Sequence, residues 1–210
     1  KPKPSYILEK KENNIYILDE VSNDKFKLDI NISNDYDLNN ILASYSAIND
    51  IVDNTTIVNT LKTFKVAFGR AEIIKFNSIE LGIYLVKNPT GFNLALENLF
   101  TFKPDIVTIL LNDNIADGRD ISWIWDTDLS PLIKYFEDNN ITIYTGGTRA
   151  DDLKVRIEHS KIDTKTISLS ELLNKPNKRI AIFTTYTALI ALRKFLKSKG
   201  VIEEYLKWLI

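Results

Sequence analysis

Apolar and polar residues alternate over the first thirty positions: Tyr6 and Leu8, then Ile15 and Ile17, then Phe26, Leu28 and Ile30. A period of two predicts short antiparallel strands with one buried face. Lys11–Asn14 and Val21–Lys25 supply the polar turns between them. The period then lengthens. Leu38, Ile41, Leu42, Tyr45 and Ile48 fall on one stripe of a helix over 36–52. A second helix is predicted over 55–67, capped by Thr55 or Thr56, with Ile57, Leu61 and Phe64 as its buried edge. Phe68-Gly69-Arg70 breaks this rhythm and sets a boundary between residues 1–67 and 68–210.

Beyond the boundary, strands and helices alternate. Strands are predicted over 72–77 and 80–87 around a tight turn at Asn77-Ser78. A helix over 90–101 follows, then an apolar strand over 105–111 (DIVTILL) whose hydrophobic run is typical of a strand buried on both faces. The remainder reads as a polar loop (112–120), a helix (122–138), a strand (141–145) and a helix (148–158), then a short strand (165–168), a helix (170–174), a strand (179–184) and a helix (186–198). Leu189, Leu192 and Leu196, continued by Val201, Tyr205 and Leu209, form the stripe that packs this end. The order argues for an α/β fold: an open, mostly parallel, Rossmann-like sheet flanked by helices, preceded by a small segment of β-hairpin plus helices.

Composition narrows the chemistry. The 210 residues carry 27 basic and 28 acidic side chains, a formal net charge of −1, which gives no support to a nucleic-acid partner. The absence of cysteine excludes a disulfide framework, a thiolate zinc site and a cysteine nucleophile within these residues. His159 stands alone, too few for a multi-histidine metal site, and reads as a solvated histidine at a helix end. No apolar run approaches the ~18 residues of a membrane span, so no membrane insertion is expected. The sequence starts at Lys1, contains no methionine and opens on a Pro-Lys stretch, which reads as a processed chain or a piece of a longer one.

Ligands of open parallel sheets gather at the carboxyl ends of the strands, and three of the loops there are rich in chemistry. Lys87-Asn88-Pro89-Thr90-Gly91-Phe92-Asn93 combines a base and an amide with a helix start; it reads as an anion-binding start or a capped Pro-Gly turn. Asn112-Asp113-Asn114-Ile115-Ala116-Asp117-Gly118-Arg119-Asp120 gathers more polar groups than a turn needs, which favours a functional loop. Asp120 and Ser122 are also cap candidates. Trp123 and Trp125, two positions apart, diverge on a helix, so one reaches a surface as an interface anchor. Gly146-Gly147-Thr148-Arg149 reads equally as an anion nest or a capped turn. There is no GxxxxGK[ST] phosphate loop, GxGxxG or HExxH.

Five segments share an order and spacing with one family: Gly69–Glu72 (GRAE), Leu85–Asn93 (LVKNPTGFN), Leu110–Asp128 (LLNDNIADGRDISWIWDTD), Thr145–Leu153 (TGGTRADDL) and Thr184–Leu189 (TTYTAL). Together they resemble the C-terminal part of MurT, the Mur-ligase-like subunit of lipid II isoglutaminyl synthase. The resemblance covers essentially the whole chain. It implies a Mur ligase C-terminal domain over 68–210 and the end of the central domain over 1–67, where Asn40 matches the family segment and Asn34 and Asp37 differ. It implies a heterodimer with a GatD-type glutaminase that takes ammonia from glutamine using a cysteine and a histidine. The complex amidates the D-glutamate α-carboxyl of lipid II through an acyl phosphate, with ATP and Mg2+ as the cofactors of the full-length complex. Neither is expected to bind this chain alone, and zinc is expected only in the part upstream. Asp120 matches the aspartate offered to the cysteine–histidine pair, as the catalytic group. Arg70, Lys87, Asn88, Asn112, Asn114, Asp117 and Arg119 fall in the substrate and nucleotide cleft. Trp123, Trp125 and Arg149 fall at the partner interface. The resemblance also implies cytoplasmic placement, extending to the inner face of the membrane. Two alternatives stay open: a docking module that contributes no catalytic group, and a domain of another Mur-type ligase such as a folylpolyglutamate synthase relative.

Overall fold

A computed structural model describes residues 5–11, 14–30, 35–63 and 69–203, without the side chains of residues 35, 36 and 70. The chain divides into two units, Lys1–Lys65 and Val66–Ile210. The boundary expected at 67/68 lies outside the described residues, as do Asn34, Phe64, Phe68, Tyr205, Leu209 and the Pro-Lys start.

In the first unit, β1 (Tyr6–Lys11), β2 (Asn14–Asp19) and β3 (Lys25–Leu28) form an antiparallel sheet in that order. The alternation fixes the register: Leu8 pairs with Ile17 and Ile17 with Phe26, so the apolar set shares one face. Helices α1 (Asp35–Ile48) and α2 (Asn54–Thr63) follow, and Ile17, Leu28, Leu38, Ile41, Tyr45 and Ile57 are buried. Helix α1 is shorter than the predicted 36–52. Asn49 turns its side-chain amide onto the carbonyls of Tyr45 and Ser46 (3.1 Å each), ending the ladder and leaving Ile48 exposed. The cap of α2 is Asp53 rather than a threonine; its carboxylate accepts the Thr56 N–H at 2.9 Å.

In the second unit, β4 (Arg70–Phe76) pairs antiparallel with β5 (Ile79–Leu85) across a turn where Asn77 takes φ 50°. The chain continues through α3 (Pro89–Leu96), α4 (Asn98–Phe102), β6 (Ile106–Leu110), α5 (Ser130–Asn139), β7 (Thr142–Gly146) and α6 (Ala150–His159), then β8 (Lys165–Thr166), α7 (Leu169–Leu173), β9 (Arg179–Thr184) and α8 (Tyr186–Ser198). The strand order is β4-β5-β9-β6-β7-β8, parallel from β5 onward. The expected open, mostly parallel sheet is therefore present.

Its two faces carry separate cores. Val107, Ile109, Tyr84, Ala181 and Phe183 meet α3 to α6 through Phe92, Leu99, Leu132 and Leu153. Ile106, Leu110, Leu81, Ile180 and Ile182 meet α7 and α8 through Leu172, Leu189, Leu192 and Leu196. Burial on both faces is why β6 reads as a continuous apolar run. Each such side chain contributes roughly 1.5–3 kcal/mol. Arg193 of α8 holds Glu72 of β4 at 2.6 and 2.7 Å, and the same carboxylate accepts the Gly69 N–H.

Two predicted helices are split. The helix expected over 90–101 breaks at Glu97, because the Asn98 side-chain amide takes the Ala95 carbonyl at 3.0 Å, displacing the next helical bond. The helix expected over 122–138 is a 3-10 turn, Ser122–Trp125, followed by the separate α5. Pro131 sits in the first turn of α5 and has no N–H for the Thr127 carbonyl. That carbonyl and the one of Ile124 instead accept the Arg156 guanidinium, both at 3.0 Å. Helix α8 ends at Gly200 (φ 70°), where the Val201 N–H returns to the Leu196 carbonyl at 2.9 Å, so Val201 and Ile202 fold back on the second core.

Candidate functional site

β6 and β9 are neighbours, but the segments after them leave for opposite faces: β6 leads to α5 and β9 to α8. Such a divergence opens a crevice at the carboxyl ends of the strands. Three segments converge there, residues 111–120 after β6, 147–149 after β7 and 185–187 after β9. Backbone bonds tie them first: Thr185 N–H to the Leu110 carbonyl (3.1 Å), Leu111 N–H to that of Gly146 (2.9 Å) and Arg149 N–H to that of Leu111 (3.0 Å). Gly147 lies between them with φ 91°, where a Cβ would stand 2.3 Å from the Leu111 carbonyl oxygen. Only glycine lets the two loops approach this closely.

Side chains complete the junction. Asn112, 8% exposed, receives the Thr148 N–H on Oδ1 (2.9 Å) and donates Nδ2 to Thr187 Oγ1 (2.9 Å), while its own N–H meets Thr185 Oγ1 (3.0 Å). Asn114 also donates Nδ2 to Thr187 Oγ1, at 2.8 Å. Asp117 sits on the start of α8, where its carboxylate accepts the Thr187 N–H (2.7 Å) and hydroxyl, and also the Asn114 N–H (3.2 Å). Asp113 accepts Thr148 Oγ1 (3.0 Å) and Arg149 Nη1 (2.9 Å), and Arg149 Nε reaches Asp152 at 2.7 Å. Hydrogen bonding to the Arg149 guanidinium, with help from Thr148, holds the Asp113 carboxyl below the usual carboxylate range. Asp152, and then Asp113, raise Arg149 still further above neutrality.

These bonds settle the helix-start readings. The Thr148 and Arg149 N–H groups serve the Asn112 side chain and the Leu111 carbonyl. The Gly91 N–H serves Asn88 Oδ1 at 2.7 Å, making Asn88 the cap of α3, and Pro89 offers no N–H. The 87–93 loop is thus a turn capped by Asn88, whereas no side chain caps the start of α6 and the Thr148 and Arg149 N–H groups are turned to the β6 loop. Cations remain: Lys87 and Arg119 are exposed and, among the described residues, make no hydrogen bond or ion pair. Arg70 pairs with Tyr84 through its backbone, and its side chain lies outside the described residues.

The loop's carboxylates differ in what they leave for a ligand. Asp113 and Asp117 are spent on holding loops together. Asp120 is exposed and, among the described residues, its side chain bonds only its near neighbour Ser122, whose N–H it accepts at 2.8 Å. That backbone bond, and then the Ser122 side chain, keep its carboxyl below the usual range, so it is ionised at neutral pH. Asp126 is also exposed. Of the two tryptophans, Trp123 packs edge-on against Phe92 (6.2 Å between ring centroids) and joins the core. Trp125 is 49% exposed, with His159 edge-on at 5.6 Å and the Arg156 guanidinium 5.4 Å from its ring. Sequence reading assigned no role to Thr185 and Thr187, whose side-chain partners in the β6 loop lie 70 to 75 positions away; the paired threonines that open a helix after a buried strand were the available signal.

Among the described residues, no group of three or more His, Cys, Asp or Glu could hold a metal ion. No helix among them is long and apolar enough to cross a membrane. Two open depressions, of about 460 and 360 Å3, lie at the opposite, amino end of the sheet, around Asp105, Tyr135 and Thr142 and around Lys75, Ser78 and Glu80.

Solved structures share this architecture at low identity. A pseudomurein peptide ligase type C from Methanothermus fervidus matches with a TM-score of 0.63 at 15% identity, over 95% of this chain and 42% of that one. A folylpolyglutamate synthase from Thermotoga maritima matches with a TM-score of 0.62 at 16% identity, over 96% and 48%. The fold is thus that of the Mur-type ligases. Sequence relatives are more specific. The MurT subunit of lipid II isoglutaminyl synthase (glutamine-hydrolyzing) from Staphylococcus aureus is 36% identical over 140 residues, 65% of this chain and 31% of that protein. The MurT subunit from Streptococcus pneumoniae is 31% identical over 187 residues, 83% of this chain and 41% of that protein. The chain therefore spans about a third to two fifths of the length of the curated relatives it matches. The model of the MurT ligase C-terminal family covers residues 85–189, which include all three converging loops, and the chain belongs to this family.

Proposed function

We propose that this chain is the C-terminal part of the ligase subunit of a glutamine-hydrolysing lipid II isoglutaminyl synthase, and that its task is to dock a GatD-type glutaminase and complete its active site. The observation that carries this reading is Asp120: an exposed, ionised carboxylate on a loop whose other acids are engaged internally. A carboxylate presented to the Nδ1–H of a partner histidine fixes its tautomer and stabilises the imidazolium formed when a cysteine thiol loses its proton. Ammonia released in this way would amidate the D-glutamate α-carboxyl of lipid II, activated by ATP and Mg2+ in the complete enzyme. Toward that nucleotide this chain offers the free cations Lys87 and Arg119. Trp125, half-exposed and flanked by Arg156 and His159, has the make-up of an interface anchor.

The test is glutamine hydrolysis by the glutaminase with and without this chain. Asp120→Asn is expected to bind but to lower the stimulated rate by a factor on the order of 10^3–10^4, while Asp126→Asn stays near wild type. The same assay with Trp125→Ala reads docking. If Trp125→Ala abolishes stimulation through lost binding while Asp120→Asn behaves as wild type, the chain is a docking module and supplies no catalytic group.

A further inference from the structure

The Thr184–Leu189 segment is a shared motif that the proposed function leaves without a task. Its Thr187 hydroxyl is saturated. It accepts the amides of Asn112 (2.9 Å) and Asn114 (2.8 Å) and donates to the Asp117 carboxylate, which uses one donor and two lone pairs. Thr187 N–H binds the other oxygen of the same carboxylate at 2.7 Å. One residue at the start of α8 therefore grips the β6 loop at three side chains, 70 to 75 positions away in sequence. The grip closes where it matters. Asp117 ends a 3-10 turn, Ile115–Asp117, and only Gly118 (φ 82°) and Arg119 separate it from Asp120. Among the described residues the Asp120 side chain has no long-range partner: its bond to Ser122 is local and the side chain is exposed. Asp120 therefore stands between two holds: Asp117, three positions before it and fixed by Thr187, and Ile121, just after it and packed against the first core.

We propose that Thr187 is the positioning residue for Asp120: its hydroxyl and N–H lock Asp117, Asn112 and Asn114, and so place the Asp120 carboxylate for the partner's histidine. This rests on the reading that Asp120 serves the glutaminase. Replacing Thr187 by valine keeps the shape but takes away the acceptor of two amides and one of the two donors to Asp117 Oδ2, leaving that oxygen only the Asn114 N–H; serine keeps the hydroxyl. Misplacement of a catalytic group by about 1 Å lowers a rate on the order of 10²-fold.

The experiment measures glutaminase stimulation by wild type, Thr187→Val, Thr187→Ser, Asp120→Asn and the Thr187→Val/Asp120→Asn double variant, with a thermal melt and a binding titration of each. Thr187→Val is expected to lower kcat by roughly 10- to 100-fold with KM for glutamine unchanged. Thr187→Ser is expected to restore the rate to near wild type. The double variant is expected to be no slower than Asp120→Asn alone, because a residue that acts through Asp120 has nothing to act on without it. Full activity of Thr187→Val, failure of serine to rescue, or a further loss in the double variant would each overturn the proposal. Should Thr187→Val fail to fold, Asn114→Ala, which removes one of the two amides, takes its place with the same expectations. If Asp120→Asn is itself as active as wild type, it is the reading of Asp120 that fails; if only the Thr187 variants are silent, the positioning role fails alone.

Discussion

At the scale of single residues, the site depends on one glycine as much as on its acids. Gly147 holds φ 91° with the Leu111 carbonyl where its Cβ would be. A left-handed conformation costs a non-glycine residue about 1–2 kcal/mol before any clash. The obstacle here is backbone, tied in place by the Arg149 N–H. Gly147→Ala is expected to destabilise the second unit by more than 2 kcal/mol, a fall in Tm on the order of 5–10 °C, read by a thermal melt. Gly118→Ala offers a comparison: φ is 82° but nothing lies within 4 Å of its Cβ, so only the conformational part of the loss applies. Legibility at this scale followed sequence distance. Asp120 could be read as a cap of the following turn because its partner, Ser122, is two residues on. Asn112 and Asp117 could be seen as members of a dense polar loop, but their bonds to Thr187 exist only after β6 and β9 become neighbours.

At the scale of elements, strand periods were the clearest signal and helix breaks the weakest. The apolar run of β6 foretold burial on both faces, and alternation in β1 to β3 foretold their register. The break between Trp125 and Ser130 was hidden because apolar residues recur helically across it, at Ile121, Ile124, Leu129, Leu132 and Ile133. Pro131 was the available sign, since proline belongs in the first turn of a helix and not in its middle. What stabilises the break is remote: Arg156, from α6, satisfies the carbonyls of Ile124 and Thr127 and places its guanidinium beside Trp125. Its half-buried setting pushes its pKa down by desolvation, yet arginine stays charged, so both bonds are charge-assisted. Arg156→Met is expected to lower stability by about 2–4 kcal/mol, the loss from two stranded carbonyls, measured by urea denaturation. Arg156→Lys is expected to recover only part, because a single ammonium cannot fork to both oxygens as a guanidinium does.

At the scale of the molecule, the change of rhythm near Gly69 set an expected boundary between 1–67 and 68–210, while the chain divides into units Lys1–Lys65 and Val66–Ile210. The rhythm could not reveal that the loops after β6 and β9 converge, because β9 inserts beside β6 only in the folded order. That placement has a consequence for the reaction as a whole. The converging loops use their own N–H groups on one another, and the 210 residues hold no phosphate loop. On the proposed function, carboxyl activation by ATP draws on residues other than these, whereas Asp120 stands exposed for a glutaminase. The two half-reactions should separate. Mixed with the glutaminase and glutamine, this chain is expected to raise glutamate production whether or not ATP is present. Supplied instead with lipid II, ATP and ammonium, it is expected to form no isoglutaminyl product above background, by mass spectrometry of the stem peptide. Amidation from free ammonium would show that these residues suffice to activate a carboxyl group. Stimulation that appears only with ATP would show that the nucleotide acts on these loops directly and that Lys87 and Arg119 are where to look for it.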